Sequence, residues 1–188
     1  MIRELSNFNV FLFVFFMFNS AMAYEELNYE VVYQAESYEI RFYDERLVIQ
    51  TKYINENNGF MKLFDYISGS NNKSIKIDMT SPVTQSNNGS ETVMQFYLPS
   101  QLDKSNIPIP KDDNVEILNL ESGYFAVIRY SGRASDKNFY RHSDILKNEL
   151  INDNISPIGA PIKATFNGPF TLPFLRRNEA MYIVNWEE

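Results

Sequence analysis

Two stretches of this chain repeat at helical spacing, and they occupy matching places in two halves that otherwise alternate like strands. Residues 59–68 put Phe60, Leu63, Phe64 and Ile67 on one stripe, with Met61 on the exposed flank and Gly69 as a C-terminal stop. Residues 135–152 start at a serine N-cap and carry Phe139, Leu146 and Leu150 down one face. Around them, residues 27–33, 38–43, 47–53, 92–98, 114–120, 124–130 and 180–186 are rich in Tyr, Val, Ile and Phe and read as strands. The pair 114–120 and 124–130 reads as a hairpin across Glu121, Ser122 and Gly123. Asn57-Asn58 and residues 86–90, 101–113 and 152–161 read as loops, and the Pro-rich one around Pro108-Ile109-Pro110 divides the halves. Strands, a helix, then strands, taken twice, predict an α+β fold. Two such halves can close into one α+β barrel with a helix from each half outside, which pairs most strand edges.

A length of 188 residues suits one domain of this kind. The net charge of −7 removes the non-specific attraction that nucleic-acid binding relies on. With no cysteine, disulfide scaffolds, thiolate metal sites and a cysteine nucleophile are excluded, and a single histidine excludes a multi-histidine metal site.

Residues 1–23 read as a signal peptide. Arg3 opens a short n-region, Val10 to Phe18 form an apolar run of nine residues, and Ala21-Met22-Ala23 is a small-x-small cleavage site. The run is short of the roughly 20 residues that span a bilayer. The expectation is a mature domain, residues 24–188, exported without stable membrane insertion: periplasmic if bacterial, otherwise secreted.

Several strings then fall in a familiar order. They are Tyr38-Glu39-Ile40-Arg41-Phe42-Tyr43, Gly59-Phe60 with Leu63-Phe64-Asp65-Tyr66-Ile67-Ser68-Gly69, and Lys76-Ile77-Asp78-Met79-Thr80-Ser81-Pro82-Val83. Phe96-Tyr97-Leu98-Pro99, Ile107-Pro108-Ile109-Pro110 and the run from Gly168 to Glu179 continue it. Together they resemble the SOUL heme-binding protein family. The resemblance implies a distorted antiparallel β-barrel with two flanking helices and a pseudo-twofold duplicated half, and non-covalent binding of a tetrapyrrole, typically heme, without catalysis. It also implies a porphyrin laid on an apolar surface beside the first helix and the loop before the last strand. Phe60, Met61, Phe64 and Phe174 are then the expected contacts.

Arg176 and Arg177 sit beside Phe170, Leu172, Phe174 and Leu175, and a guanidinium pair at the rim of an apolar slot suits heme propionates. Pairing of one of them with Glu179 is the structural alternative, and Lys163 is a further propionate candidate. His142 is the one imidazole available to iron, but it lies about 60° from the centre of its helix stripe, where a half-buried boundary side chain is expected. Arg141-His142-Ser143-Asp144 holds triad residues as neighbours, which point apart on a helix. No catalytic residues are expected. Two readings stand beside heme carriage or scavenging: an effector-type module for another flat or small apolar molecule, and a hydrolase using carboxylate and tyrosine side chains. The first would show a buried carboxylate without a basic rim.

Overall fold

The structure, a computed structural model, describes residues 24–54 and 59–187; the signal peptide expected at residues 1–23, the loop expected at Asn57-Asn58 and Glu188 lie outside these. The elements are β1 (Glu25–Glu26), β2 (Glu30–Gln34), β3 (Glu39–Tyr43), β4 (Arg46–Tyr53), α1 (Gly59–Ile67), β5 (Thr80–Ser81), β6 (Val83–Asn87) and β7 (Thr92–Tyr97). The second half brings β8 (Glu116–Leu120), β9 (Gly123–Tyr130), α2 (Asp136–Asn152), β10 (Pro157–Thr165), a 3-10 turn (Pro173–Leu175) and β11 (Asn178–Val184). Nine strands form one antiparallel sheet in the order β2-β3-β9-β11-β10-β6-β7-β4-β8, and β1 pairs separately with β5 in parallel.

That order carries the duplication. Exchanging β3, β4, β6 and β7 for β8, β9, β10 and β11 reverses the order of these eight strands and leaves it otherwise unchanged. Each half sends its first strand across to the other, so β3 pairs with β9 and β8 with β4. The hairpin expected across Glu121 and Ser122 therefore does not form: β8 and β9 pair with different strands. The short links still shape the sheet. Two residues join β3 to β4, and two join β8 to β9, so each linked pair of Cα ends lies within about 11 Å. Strands at nearly opposite ends of the order can be that close only if the sheet curls into a barrel-like form. Closure is incomplete, because β2 and β8 each have one sheet neighbour among the described residues.

Register defines the two faces, since directly opposed residues in an antiparallel ladder share a face. Thr51, Met94, Gln85, Lys163, Ala180 and Ile128 stand in one row across β4, β7, β6, β10, β11 and β9. Both helices cover this face. Leu63, Tyr66 and Ile67 of α1 pack on Ile49, Met94 and Phe96, and Phe139, Leu146 and Leu150 of α2 on Ile40, Ile128, Ala180 and Tyr182. The neighbouring row, Gln50, Gln95, Thr84, Ala164, Glu179 and Arg129, points into the curl, where Tyr43, Phe125, Val127 and Met181 form a third, smaller cluster.

The second helix matches its expectation: Ser135 caps it, accepting from the Asn138 amide, and the expected stripe is buried. The first helix is rotated from its expected setting. Gly59, Leu63, Tyr66 and Ile67 are buried, whereas Phe60 and Phe64 remain 37% and 39% exposed. Tyr66 is drawn inward because its hydroxyl donates to the Pro108 carbonyl at 2.8 Å, which satisfies its polar end. Gly59 turns inward because Tyr53 lies over it; a Cβ there would meet the Tyr53 ring at 2.5 Å. Gly69, at φ +118°, ends the helix, with its amide on the Tyr66 carbonyl and that of Ser70 on Asp65.

Two strands escape the sequence reading. β6 is polar, Val-Thr-Gln-Ser-Asn, because its neighbours satisfy its backbone on both sides. β10 begins Pro-Ile-Gly-Ala-Pro, turn-like residues that a register shift between Ile158 and Ile162 accommodates before regular pairing resumes.

Candidate functional site

The rotation of α1 presents an apolar face to solvent. Phe60 and Phe64 stack with ring centroids 5.9 Å apart, Phe60 rests edge-on against Phe96 at 5.2 Å, and Met61 beside them is exposed. A second apolar patch is the loop between β10 and β11. Phe170 is 98% exposed and Phe174 71%, with Leu172 and Leu175 also open. The loop is held from within: the Thr171 amide donates to Gly168, the Leu175 amide to Leu172 and the Arg176 amide to Pro173. Arg176 adds Nε to the Thr171 carbonyl at 2.8 Å and Nη2 to that of Pro169. With its polar atoms satisfied internally, the loop displays its apolar side chains outward. The loop leaves the sheet just beyond Thr165, which is opposite Val83, itself opposite the Phe96 that Phe60 rests on.

A groove of about 680 Å³ lies on the same face between the strands under α1 and the start of α2. Tyr53, which packs on Gly59, borders it on one side. Ala134 borders it on the other, two residues beyond Gly132, whose amide donates to Pro173 of the apolar loop. Its volume falls within the roughly 300–1,000 Å³ of small-molecule sites. The floor is polar, and its charged residues are Lys163 and Asp136, paired at 2.8 Å. Gln85 donates to the Tyr53 hydroxyl at 3.2 Å. Burial raises the Tyr53 phenol above its ordinary pKa; the Gln85 bond opposes that rise and Asp136 adds to it.

The two arginines part company. Arg177 turns into the curled sheet: its Nη2 lies 2.9 Å from Glu179 Oε1, its Nη1 2.7 Å from Glu26, and its guanidinium covers the Phe166 ring at 3.8 Å. Glu179, wholly buried, is also held by Arg41 at 2.9 Å, and Arg41 reaches Glu39 at 2.7 Å. Burial alone would lower the pKa of either guanidinium, and the Glu179 carboxylate more than reverses this, holding both above their ordinary value. Arg177 thus belongs to a buried ion network and Arg176 to the backbone of its own loop.

His142 stacks face to face on Tyr130, centroids 4.0 Å apart, with Nδ1 at 2.7 Å from the Asn138 carbonyl. This is the boundary packing expected of it. Trp186 packs on Tyr33 at 5.1 Å, at the margin of the α2 core. Among the described residues no group of three or more His, Asp or Glu side chains converges as a metal site, and no helix is long and apolar enough to cross a membrane.

A second cleft of about 660 Å³ opens beside β1 and the link between β3 and β4. Glu25, Glu26, Asp44, Glu45 and Asp103 line it against Arg46 and Lys104. Arg46 lies over the rings of Tyr43 and Phe125, at 5.1 Å from each, and donates to the Asp44 and Glu121 carbonyls. Its acidic border repels ligand carboxylates.

Sequence reasoning named residues of both patches through the family resemblance, not through the α1 stripe, and it did not find the groove. Lys163 was named as a propionate candidate, but its place in the groove was hidden because residues 157–165 were not read as a strand. The alternation through Ile162, Lys163, Ala164 and Thr165 was the available signal, masked by the prolines before it.

Known proteins bear on this geometry. A family model described as SOUL heme-binding protein matches residues 24–183. Heme-binding protein 1 of Xenopus laevis is 29% identical over 134 residues, covering 68% of this chain and 70% of that protein. Heme-binding protein 1 of Sus scrofa is 28% identical over 130 residues, covering 65% and 67%. Among solved structures, the EcmrR C-terminal domain superposes with a TM-score of 0.58 at 13% identity, covering 82% of this chain and 98% of that one. A hydrolase from Listeria innocua gives 0.57 at 8% identity, covering 79% and 92%. At such identities the structural likeness shows the fold alone. The match over nearly the whole described domain, with the ββαββ duplication and the strings that carry it, makes the chain a member of the SOUL heme-binding protein family.

Proposed function

We propose that this protein binds heme, or a closely related tetrapyrrole, non-covalently on the helix face of its sheet, as a carrier or scavenger and not as an enzyme. The observation that carries the reading is the pair of apolar patches, Phe60, Met61 and Phe64 on α1 and Phe170, Leu172, Phe174 and Leu175 on the loop, with a ligand-sized groove linked to α1 through Tyr53 and Gly59 and to the loop through Gly132 and Pro173. A flat, largely apolar macrocycle suits such a surface, whereas a soluble protein rarely leaves so many large apolar side chains open without a partner. Fully burying one of them contributes about 1.5–3 kcal/mol. Partial cover of several, offset by the cost of association, leaves binding in roughly the micromolar range, about −8 kcal/mol. Bound heme would bring the redox and ligand chemistry of its iron; the chain supplies surface and orientation. Met61 offers a thioether on the ledge itself, while His142 is assigned to helix packing.

The effector-type reading has less support, because the buried carboxylate of the inner face, Glu179, lies between two guanidiniums. Export rests on the leader pattern of residues 1–23, and a mature amino terminus at Tyr24, read by mass spectrometry, is its check. The binding reading is tested by titrating hemin into the mature protein. A shifted Soret band that saturates near one equivalent is expected, and a Phe60→Ser/Phe174→Ser variant should weaken binding at least tenfold with its Tm retained. Unchanged binding in that variant would remove the ledge from the account.

A further inference from the structure

We propose that Lys163 is the carboxylate-reading residue of the groove and that Asp136 is its internal competitor, so that the site selects porphyrins bearing free carboxylates. This rests on the tetrapyrrole reading above and deepens it. Lys163 stands in β10, in register with Gln85 and Ala180, midway between the strands under α1 and those under α2. Its side chain is 12% exposed, yet its partner Asp136, 2.8 Å away, is 78% exposed. A lysine whose stem is packed on the sheet holds its ammonium at the groove, where a counter-charge stabilises it. An exposed carboxylate at the start of a helix can rotate into water at little cost, since exposed ion pairs are weak.

The Lys163–Asp136 pair is therefore exchangeable, unlike the pairs around Glu179, whose members are all largely buried. A ligand carboxylate can take the place of Asp136 without leaving Lys163 alone. Tyr53 adds a donor: its oxygen accepts from Gln85, and its own proton has no acceptor among the described residues. Arg176 and Arg177 are occupied elsewhere, which leaves Lys163 as the cation that lines the groove.

The probes are protoporphyrin IX and its dimethyl ester, titrated by fluorescence into wild type, Lys163→Met, Lys163→Arg and Asp136→Asn. Wild type should prefer the free acid about tenfold, the scale of one charge-assisted contact. Lys163→Met should abolish the preference by weakening the acid alone, and Lys163→Arg should keep it. Asp136→Asn should tighten the acid about threefold by removing a competitor of weak-pair strength. A merely structural role would move acid and ester together. Equal affinity for acid and ester in wild type, or an acid affinity indifferent to both Lys163→Met and Asp136→Asn, would overturn the assignment while leaving tetrapyrrole binding intact. Failure of folded wild type to bind either porphyrin would overturn the functional reading and this proposal with it.

Discussion

On the inner face of the sheet, Glu179 is wholly buried and held by Arg41 and Arg177, while on the helix face the half-buried Lys163 meets a carboxylate that stands in water. Each includes an ion pair that joins separate elements, β3 to β11 and β10 to α2, but only the second has a member that can leave. A charge whose partners are all buried cannot serve a ligand without unfolding its surroundings. One paired with an exposed group can. α1 on the same face holds open aromatics as well, so an apolar surface and a charge able to change partners lie on one side of the sheet.

The sharpest way to break the comparison is Glu179→Ala. It strands two guanidiniums inside the sheet and should cost about 3–5 kcal/mol in urea denaturation, whereas Lys163→Met should cost about 1 kcal/mol or less. Equal costs would erase the distinction. The two arginines come next. Arg177→Ala should lower stability by about 2–4 kcal/mol, and Arg176→Ala, which loses bonds to carbonyls of a surface loop, by about 1 kcal/mol. The smaller loss at Arg176 should nonetheless weaken hemin binding more than the larger loss at Arg177, because it loosens the loop that displays Phe170 and Phe174.

Alkali probes the buried hydroxyls. Burial pushes the Tyr43 phenol up to about 12, a rise that Arg41 opposes, and burial also pushes Tyr66 up to about 12, both from 10.0. Between those values the unfolded chain loses phenolic protons that the folded chain keeps, so stability should fall as pH rises through that window. Absorbance at 295 nm followed beside circular dichroism should show both tyrosines ionising with unfolding, not before it. The smallest effect is expected at the ledge itself. Phe170→Ser should change stability by about 0.5 kcal/mol or less, since the side chain makes little contact to lose.

How much of this was legible beforehand follows from what each residue depends on. The central strands, α2 with its Ser135 cap, and the pairing of one arginine with Glu179 were readable because local patterning and nearby charge determine them. The facing of α1 was not. Phe60, Leu63, Phe64 and Ile67 form as good a stripe as Gly59, Leu63, Tyr66 and Ile67. The choice falls to Tyr53 and Pro108, which reach the helix from other parts of the chain. The apparent hairpin across Glu121 and Ser122 failed for a similar reason: strand exchange between halves is a property of the whole sheet. β10 was hidden by turn residues that a register shift absorbs, and Lys163 was placed in the groove only once that strand was in position.

The central claim, that the helix face and not the inner face receives the ligand, is tested most directly by amide chemical-shift mapping of the mature protein with zinc protoporphyrin IX. The account predicts shifts clustered at Phe60 to Phe64, Gly168 to Leu175 and Lys163, with Gln50, Thr84 and Gln95 unmoved. Shifts centred on those inner-face residues, or on the acidic cleft around Asp44 and Asp103, would contradict it.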